Sequence, residues 1–145
     1  LNGVAIATAP VGATATVGFG GVINFTAAKP GIYPFTYRAI DLSGGASTNA
    51  ATITATINDV VTVTTATLTA AKNSWSLAGT AYASSKVTIV AVDAAGNVLA
   101  TIAAPTATTK GAWTATATVA VPATAVRVVA TSSNRGVGSL AITRK

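Results

Sequence analysis

The residues that could do chemistry in this chain are few. Its acids are Asp41, Asp59 and Asp93, and the sequence contains no His, Cys, Met or Glu. Side-chain catalysis near neutral pH depends on a base that titrates in that range, an activated nucleophile or a metal, and the missing residue types supply most of these. The composition therefore predicts a protein that is not an enzyme and that has no catalytic, cofactor-binding or metal-ligating residues.

Two local patterns resemble reactive sites but are better explained as turns. Ser84, Ser85 and Lys86 have the composition of a Ser/Lys dyad, yet they lie between two strand-like runs with no framework for an oxyanion. Asp41 and Asp93 are each followed three residues later by a glycine, a pattern typical of a carboxylate that accepts backbone N–H bonds in a turn. Calcium takes about six to eight oxygen ligands, several of them carboxylates, so isolated acids predict no calcium site.

Five aromatic residues are the main candidates for a binding surface. Tyr33, Phe35 and Tyr37 share one face of a predicted strand, where an exposed row could stack on sugar rings. Buried, the same row would form the core of a first module, with one tyrosine hydroxyl bonded to the backbone at a corner. Trp75 and Trp113 alternate in phase with other apolar residues, which predicts that both indoles fill a core of small side chains. For the row on this strand we favour a buried position over an exposed one, and for both indoles we expect burial.

A sequon for N-glycosylation is formed by Asn24, Phe25 and Thr26. Asn24 is therefore a candidate glycosylation site, although the sequon falls inside a predicted strand.

The net charge of +6 comes from nine basic and three acidic residues that are dispersed along the chain. Up to Asn58 there are two basic residues and one acid, net +1; beyond it there are seven basic residues and two acids, net +5. Such a field attracts anionic surface polymers weakly, whereas dispersed charge is more typical of a solvated surface. The basic residues are not interleaved with exposed aromatics, so no specific nucleic-acid binding is predicted.

Alternation of small apolar residues with Thr predicts β-strands along the whole chain and no helix. Five strands are predicted in the first part, over residues 4–8, 13–17, 22–27, 32–40 and 48–57. Seven are predicted in the second part, over residues 60–70, 74–80, 86–92, 98–103, 112–121, 125–131 and 137–144.

The parity of apolar residues changes within the first strand of the second part. Val61 and Val63 share one face, whereas Ala66 and Leu68 lie on the opposite parity. A bulge at residues 64–65, or a strand that leaves one sheet and joins the other, would place all four inside.

A polar joint at Asn58 and Asp59 divides the chain into two predicted domains, 1–58 and 59–145. The first has five predicted strands where a complete sandwich has about seven, so it is expected to be incomplete at its N-terminal side. No run approaches the about 18 apolar residues of a membrane-spanning helix. A Cys-free, Thr-rich chain is typical of exported bacterial or archaeal proteins, which predicts an extracellular or cell-surface location.

Loose motifs in both parts are similar to known repeats. A Tyr/Phe-rich strand, an Asp-Gly turn and a Thr-rich last strand close the first part, through Gly31, Tyr33, Phe35, Tyr37, Asp41, Gly44, Gly45, Ser47 and Thr48. This order resembles cadherin-like and related bacterial Ig-like repeats. In the second part a second set resembles bacterial Ig-like domains carried in tandem on secreted and surface proteins: Trp75, Gly79, Thr80, Val87, Ile89, Asp93, Gly96, Gly111 and Trp113. The resemblance implies an all-β fold of two tandem immunoglobulin-like β-sandwiches, but not calcium binding, because the acid clusters of cadherin modules are missing.

Two functions are consistent with these observations. The first is a non-enzymatic extracellular structural module, a spacer, stalk or fibre-forming subunit, whose partners are copies of itself or other domains of the same parent chain. Exposed strand edges would allow it to self-assemble. The second is a C-terminal accessory region that anchors a larger secreted enzyme to a glycan or cell surface. Exposed aromatics would favour the second function and buried ones the first.

Overall fold

The computed structural model describes residues 2–145, and the fold is all-β, as the alternation predicts. The chain divides into two compact units, a first unit that ends at Ile57 and a second unit, Asn58–Lys145. Over residues 2–145 no helix is long and apolar enough to cross a membrane. The helical elements in this range are two 3₁₀ turns of three residues each, Phe19–Gly21 and Ala70–Lys72. The sequence pattern does not predict them, because a single turn is too short to show a period.

The first unit consists of a three-stranded sheet and a hairpin. Its strands in the described residues are β1 (Gly3–Thr8), β2 (Ala13–Val17), β3 (Ile23–Ala27), β4 (Gly31–Ile40) and β5 (Ala51–Ile57). The sheet is antiparallel with the order β1-β4-β5, and β2 pairs with β3. Each strand begins and ends within three residues of its predicted bounds.

Aromatic rings hold the hairpin against the sheet of the first unit. The ring centroid of Phe25, on β3, lies 5.5 Å from that of Tyr33 and 5.9 Å from that of Phe35, both on β4. The rings of Phe25 and Phe35 are nearly parallel, with 7° between their planes. Stacked and tilted ring pairs at such distances add to the free energy gained from burial alone. The alternation of β4 therefore places Tyr33 and Phe35 inward, against the hairpin.

The second unit is a β-sandwich of two four-stranded sheets. Its strands are β6 (Thr62–Thr69), β7 (Ser74–Thr80), β8 (Val87–Val92), β9 (Val98–Ala103), β10 (Ala112–Thr118), β11 (Arg127–Ser132), β12 (Val137–Ala141) and β13 (Thr143–Arg144). One sheet has the order β10-β7-β6-β13 and the other β12-β11-β8-β9. Side chains from both sheets form one core, in which Val87, Ile89 and Val128 have no exposed surface.

The bulge predicted from the parity change is confirmed. β6 pairs with β7 in register on both sides of a shift: Val63 lies opposite Gly79, and the next pair is Thr65 with Ala78. One extra residue in β6 reverses the parity of the side chains that follow. Val63 and Leu68 both face the core as a result.

The last predicted strand, 137–144, is two strands in two different sheets. β12 pairs with β11, whereas β13 runs parallel to β6 in the opposite sheet. The chain crosses at Ile142, whose N–H still donates to Val126 O at 3.0 Å, and the Lys145 N–H then donates to Leu68 O at 2.9 Å. The second unit therefore has eight strands rather than the predicted seven. Alternation continues through the crossing, so the pattern carries no signal of the change of partner.

The two indoles occupy the core of the second unit. Trp75 and Trp113 are each 1% exposed. The Nε1–H of Trp75 donates to the Val119 carbonyl at 2.9 Å, whereas the Nε1–H of Trp113 has no partner. The ring of Trp113 lies directly over Gly79, and a Cβ there would collide with this ring and with the Thr62 carbonyl oxygen. Gly79 is therefore required by close packing rather than by a special backbone angle.

We expect Gly79→Ala to lower the free energy of unfolding by about 2 kcal/mol or more, because the ring and the backbone oxygen can both move little in a packed sheet. Urea unfolding followed by tryptophan fluorescence measures the change. Ser76→Ala is the matched control, since Ser76 lies on the same strand with an exposed side chain, and we expect an effect within about 0.5 kcal/mol. Equal stability of the two variants would contradict this packing.

Candidate functional site

The three carboxylates of the chain all accept hydrogen bonds from backbone N–H groups. Asp41 Oδ1 accepts from the Ser43 and Gly45 N–H groups at 2.9 and 2.8 Å and from the Ser43 hydroxyl at 2.6 Å. Asp93 Oδ1 accepts from the Asn97 N–H at 2.8 Å, and its Oδ2 accepts from the Asn97 amide at 2.9 Å. Both acids therefore hold turns, as predicted, and their oxygens are directed at the chain's own backbone.

Hydrogen bonds in these two turns stabilise the charged form of each carboxylate. The Ser43 hydroxyl, followed by the Gly45 N–H, lowers the pKa of Asp41 below its ordinary value of 3.8. The side-chain amide and then the backbone N–H of Asn97 lower the pKa of Asp93 in the same direction. Both acids are therefore charged throughout the physiological range of pH and are not suited to proton transfer at neutral pH.

Asp59 is the buried acid of the chain, with 8% of its surface exposed. Its two carboxylate oxygens accept from the Tyr82 N–H at 2.8 and 2.9 Å, and its own N–H donates to Asn134 O at 3.0 Å. Gly136 packs so closely on Asp59 that a Cβ at Gly136 would collide with it. Asp59 thus ties the first residues of the second unit to two of its loops. The sequence predicts that Asp59 lies at a joint between two domains. It does not predict these hydrogen bonds, because they are made with backbone atoms that are distant in sequence.

The Ser84, Ser85 and Lys86 cluster is a turn. The Ser85 hydroxyl donates to Tyr82 O at 2.6 Å and is buried, whereas Lys86 is exposed. Ser84 has a left-handed backbone with φ of 61°. The hydroxyl of Ser85 is therefore directed at the backbone of its own loop rather than at the lysine.

Four of the five candidate aromatics lie inside their units. Tyr33 is 8% and Phe35 2% exposed, Trp75 and Trp113 are buried as described, and Tyr37 is half-buried. The Tyr33 hydroxyl donates to the Lys29 carbonyl at 2.7 Å, four residues upstream, which is the corner bond expected for one tyrosine of this row. The aromatic row thus does not form a planar exposed platform for a sugar.

Asn24 lies on β3 opposite Thr16, with its side chain exposed. Its amide nitrogen lies over the backbone of Gly18, so that a Cβ at Gly18 would come within 2.7 Å of it. Asn24 is accessible but is not presented on a loop.

The exposed aromatic of the chain is one that the sequence pattern does not single out. Phe19 is fully exposed, at the end of the β2–β3 hairpin, and Val22 beside it is 59% exposed. Gly18, Gly20 and Gly21 surround the phenyl ring in sequence, and Gly20 and Gly21 have left-handed φ angles of 72° and 80°. Phe19 belongs to no alternating run. An aromatic residue flanked by glycines is therefore the sequence feature that could have identified it as exposed.

Shallow grooves are present, but small side chains line them. One of about 500 Å³ lies at the open end of the hairpin, and a smaller one of about 240 Å³ lies beside the Asp41 turn. The larger groove is lined by Gly12, Ala13, Thr14, Thr26, Ala27 and Ala28. Pockets that bind small molecules are usually deep and apolar with a few converging polar groups, and this groove offers two threonine hydroxyls. Within residues 2–145 no group of three or more acids, His or Cys could hold a metal ion.

We expect Asp93→Asn to reduce the loss of stability in acid. Because the folded pKa of Asp93 is depressed, the carboxylate stabilises the fold above its unfolded pKa, and this contribution is lost as the pH falls below 3.8. Asn keeps a carbonyl acceptor for the Asn97 N–H but does not titrate. Urea unfolding between about pH 5 and about pH 2, followed by the two buried tryptophans of the same unit, measures the slope.

Asn97→Ala serves as the second variant, because it removes the side-chain hydrogen bond that Asn97 donates to Asp93 and leaves the charge of the Asp93 carboxylate in place. Its slope should be intermediate between those of the parent and Asp93→Asn. An unchanged slope in both variants would contradict the role assigned to this turn.

The sequence matches no protein-family model, and it has no significant match among curated proteins. The function proposed below therefore depends on the geometry of the chain's own residues.

Proposed function

We propose that this chain is a non-enzymatic structural module of an extracellular or cell-surface protein, acting as a spacer, stalk or fibre-forming subunit. The observation that carries the proposal is the use of all three carboxylates as backbone acceptors, at Asp41, Asp59 and Asp93. Each side chain that could donate or accept a proton through a carboxyl group is bonded to the chain's own turns and loops. This is the arrangement expected when polar chemistry serves stability.

The pairing of strands supports an immunoglobulin-like relationship for both units. In such sandwiches the sixth strand lies between the third and the last, and the fifth pairs with the second in the opposite sheet. In the second unit β11 lies between β8 and β12, and β10 pairs with β7. In the first unit β4 lies between β1 and β5 in the same manner. Tandem modules of this kind are suited to spacing and display.

The outer edge of β10 is the best surface for assembly in the second unit. β10 is an edge strand with seven residues in unbroken register with β7, and it carries no charge and no proline. The other strand at that side of the sandwich, β9, has two register shifts against β8. Bulges, charges and prolines are the usual means by which edge strands resist pairing, so β10 is open to strand addition from a second copy.

We expect Thr116→Lys to reduce filament formation at high protein concentration at least about tenfold, because a charge on an edge strand opposes pairing with another strand. Sedimentation together with negative-stain electron microscopy measures the assembled fraction. Ser76→Lys is the matched control. Ser76 lies opposite Thr116 on the central strand β7 and is also exposed, so the variant adds the same charge to the same face away from the edge.

Equal loss of assembly in both lysine variants would indicate a general charge effect and contradict the edge contact. Absence of assembled material in the parent chain under all conditions would contradict the fibre-forming role and leave only spacing.

Phe19 favours a second candidate function, the accessory region that anchors a secreted enzyme to a surface. A fully exposed phenyl ring beside exposed Val22 can stack on sugars or contact an apolar surface. The net charge of +6 adds attraction to anionic polymers. In this function the contact is made by the glycine turn of the first unit rather than by the aromatic row of β4.

For this second function we expect Phe19→Ser to lower the fraction bound to insoluble peptidoglycan or cellulose at least about fivefold, since one stacked aromatic contributes about 1 kcal/mol. Cosedimentation measures the bound fraction. Leu42→Ser is the control, because Leu42 is 82% exposed in another loop of the same unit. Binding that is equal in parent and both variants, or lost equally in both, would exclude a specific contact at Phe19.

A further inference from the structure

Two turns lie at the same end of the first unit. Gly3 of β1 lies opposite Ile40 of β4, and a turn over residues 41–45 follows Ile40 directly. Gly21, in the turn between β2 and β3, packs on Gly3, because a Cβ at Gly21 would lie 3.6 Å from the Gly3 Cα. Both turns therefore lie beside the start of β1.

The chain leaves the first unit at the opposite end. Ile57, the last residue of β5 and of the first unit, lies opposite Gly31, the first residue of β4. At about 3.3 Å per residue, the ten residues of β4 span roughly 30 Å. The two turns are therefore separated from the exit of the chain by the full length of β4.

Large apolar side chains are exposed on both of these turns. Phe19 is fully exposed on the first turn, with exposed Val17 and Val22 beside it, and Leu42 is 82% exposed on the second. The two segments, residues 17–22 and 41–45, are called the apolar end below. Exposed apolar clusters usually mark a surface that contacts another apolar body.

The side chains of the apolar end project outward and do not line a cavity. The groove beside the first turn, of about 280 Å³, is lined by Asn2, Gly3, Val4, Gly20 and Gly21. Neither Phe19 nor Leu42 contributes to its walls. The apolar end is therefore shaped to enter another body and not to enclose one.

Little charge is present near the apolar end. The sequence has no charged residue before Lys29, and residues 39–49 contain one, Asp41. The Asp41 carboxylate accepts the hydrogen bonds of its own turn, and Arg38, three residues earlier, carries the opposite charge and donates to Ser47 O at 3.1 Å. Because these two charges balance, a contact at this end depends on apolar area and not on attraction to an anionic polymer.

The backbone of each turn is closed by its own hydrogen bond. The Gly18 N–H donates to Val22 O at 2.7 Å, and the Asp41 N–H donates to Gly45 O at 2.9 Å. Backbone groups without partners are costly in an apolar medium. Internal bonding of this kind lowers the cost of moving either turn into such a medium.

A lipid bilayer fits these features better than a sugar or a folded protein. A sugar site adds converging polar groups to a stacked ring, whereas Gly18 and Gly20, on either side of Phe19, have no side chains to supply them. A protein partner needs a surface of matching shape, and the apolar end consists of two separate projections. A fluid bilayer adapts to projecting side chains without a preformed match.

We propose that the apolar end inserts into a lipid bilayer, with the side chains of Phe19 and Leu42 at the boundary between headgroups and acyl chains. Insertion is shallow, about 5–10 Å, because Asp41 next to Leu42 stays at the level of the headgroups. This inference deepens the anchoring function proposed above and rests on it. The surface to which the protein is anchored is then a membrane.

Cosedimentation of the 145-residue protein with phosphatidylcholine vesicles tests the proposal, because a zwitterionic lipid does not attract the net charge of +6. We expect Phe19→Ser and Leu42→Ser each to lower the partition coefficient at least about fivefold, since such binding scales with buried apolar area. Val11→Ser is the matched control and should stay within about twofold of the parent. Val11 is 92% exposed and precedes β2, at the end of the hairpin away from Phe19. Circular dichroism verifies that each variant is folded.

Phe19→Trp provides a second measurement, because the native indoles of Trp75 and Trp113 are buried and give a constant background. We expect this variant to bind vesicles as the parent does, with a blue shift of its emission and quenching by phosphatidylcholine that carries brominated acyl chains. Emission at position 19 that does not change in vesicle-bound protein would overturn the proposal.

The proposal is also overturned if the parent does not bind phosphatidylcholine vesicles at millimolar lipid, or if all three serine variants bind as the parent does. Loss of binding in Phe19→Ser alone would contradict joint insertion of the two turns. Binding to an insoluble glycan through Phe19, without binding to vesicles, would remove this inference and leave the anchoring function. Binding to neither would remove the anchoring function as well, so the two failures are distinguishable.

Discussion

The second unit depends on enclosing two indoles between strands made largely of Ala, Val and Thr. Small side chains bury little area each, at about 25 cal/mol per Å² of apolar surface, so a core built from them needs a few large groups to fill it. Trp113 fits because Gly79 leaves the space below its ring, and Gly79 also lies opposite Val63, next to the bulge of β6. One packing arrangement therefore sets the register of β6, β7 and β10 together.

The few charged side chains of the chain bond mainly to backbone atoms. With three acids and no disulfides, the chain uses each carboxylate to hold a turn or a loop. Two of its cations also act on backbone carbonyls: Arg144 donates to Ala125 O at 2.9 Å, and Arg38 donates to Ser47 O at 3.1 Å. The carboxylates are directed at backbone N–H groups, and the nine basic residues outnumber them by six, so the chain carries a positive field.

Structural features could be predicted where the sequence pattern that indicates them lies within one run of residues. They could not be predicted where they depend on a partner that is distant in sequence. The bounds of β7 and β9 agree with the alternation, and the bulge in β6 follows from parity, because each of these signals is contained in one run of residues. Two features depend on backbone atoms that are distant in sequence: the passage of the chain from β12 to β13, and the hydrogen bonds of Asp59. The alternation of apolar and polar residues does not predict such contacts. Of the candidate site residues, the inward row on β4 followed from period two, whereas Phe19 lies in a glycine turn that has no period.

The two ends of the second unit are bonded to its strands in a way that would resist tension, the property that the proposed role of spacer or stalk requires. The chain enters through Asp59, fixed to Tyr82 N–H, and its last strand β13 runs parallel to β6. In a parallel pair the start of one strand and the end of the other lie at opposite ends, so tension between the two termini shears the pair along its length. The bonds that resist this shear include Lys145 N–H to Leu68 O and Ala70 N–H to Lys145 O, both 2.9 Å long. Because these bonds share the load, they must break together rather than one after another. The crossing of the chain at Ile142, which the sequence pattern does not predict, places β13 in this position.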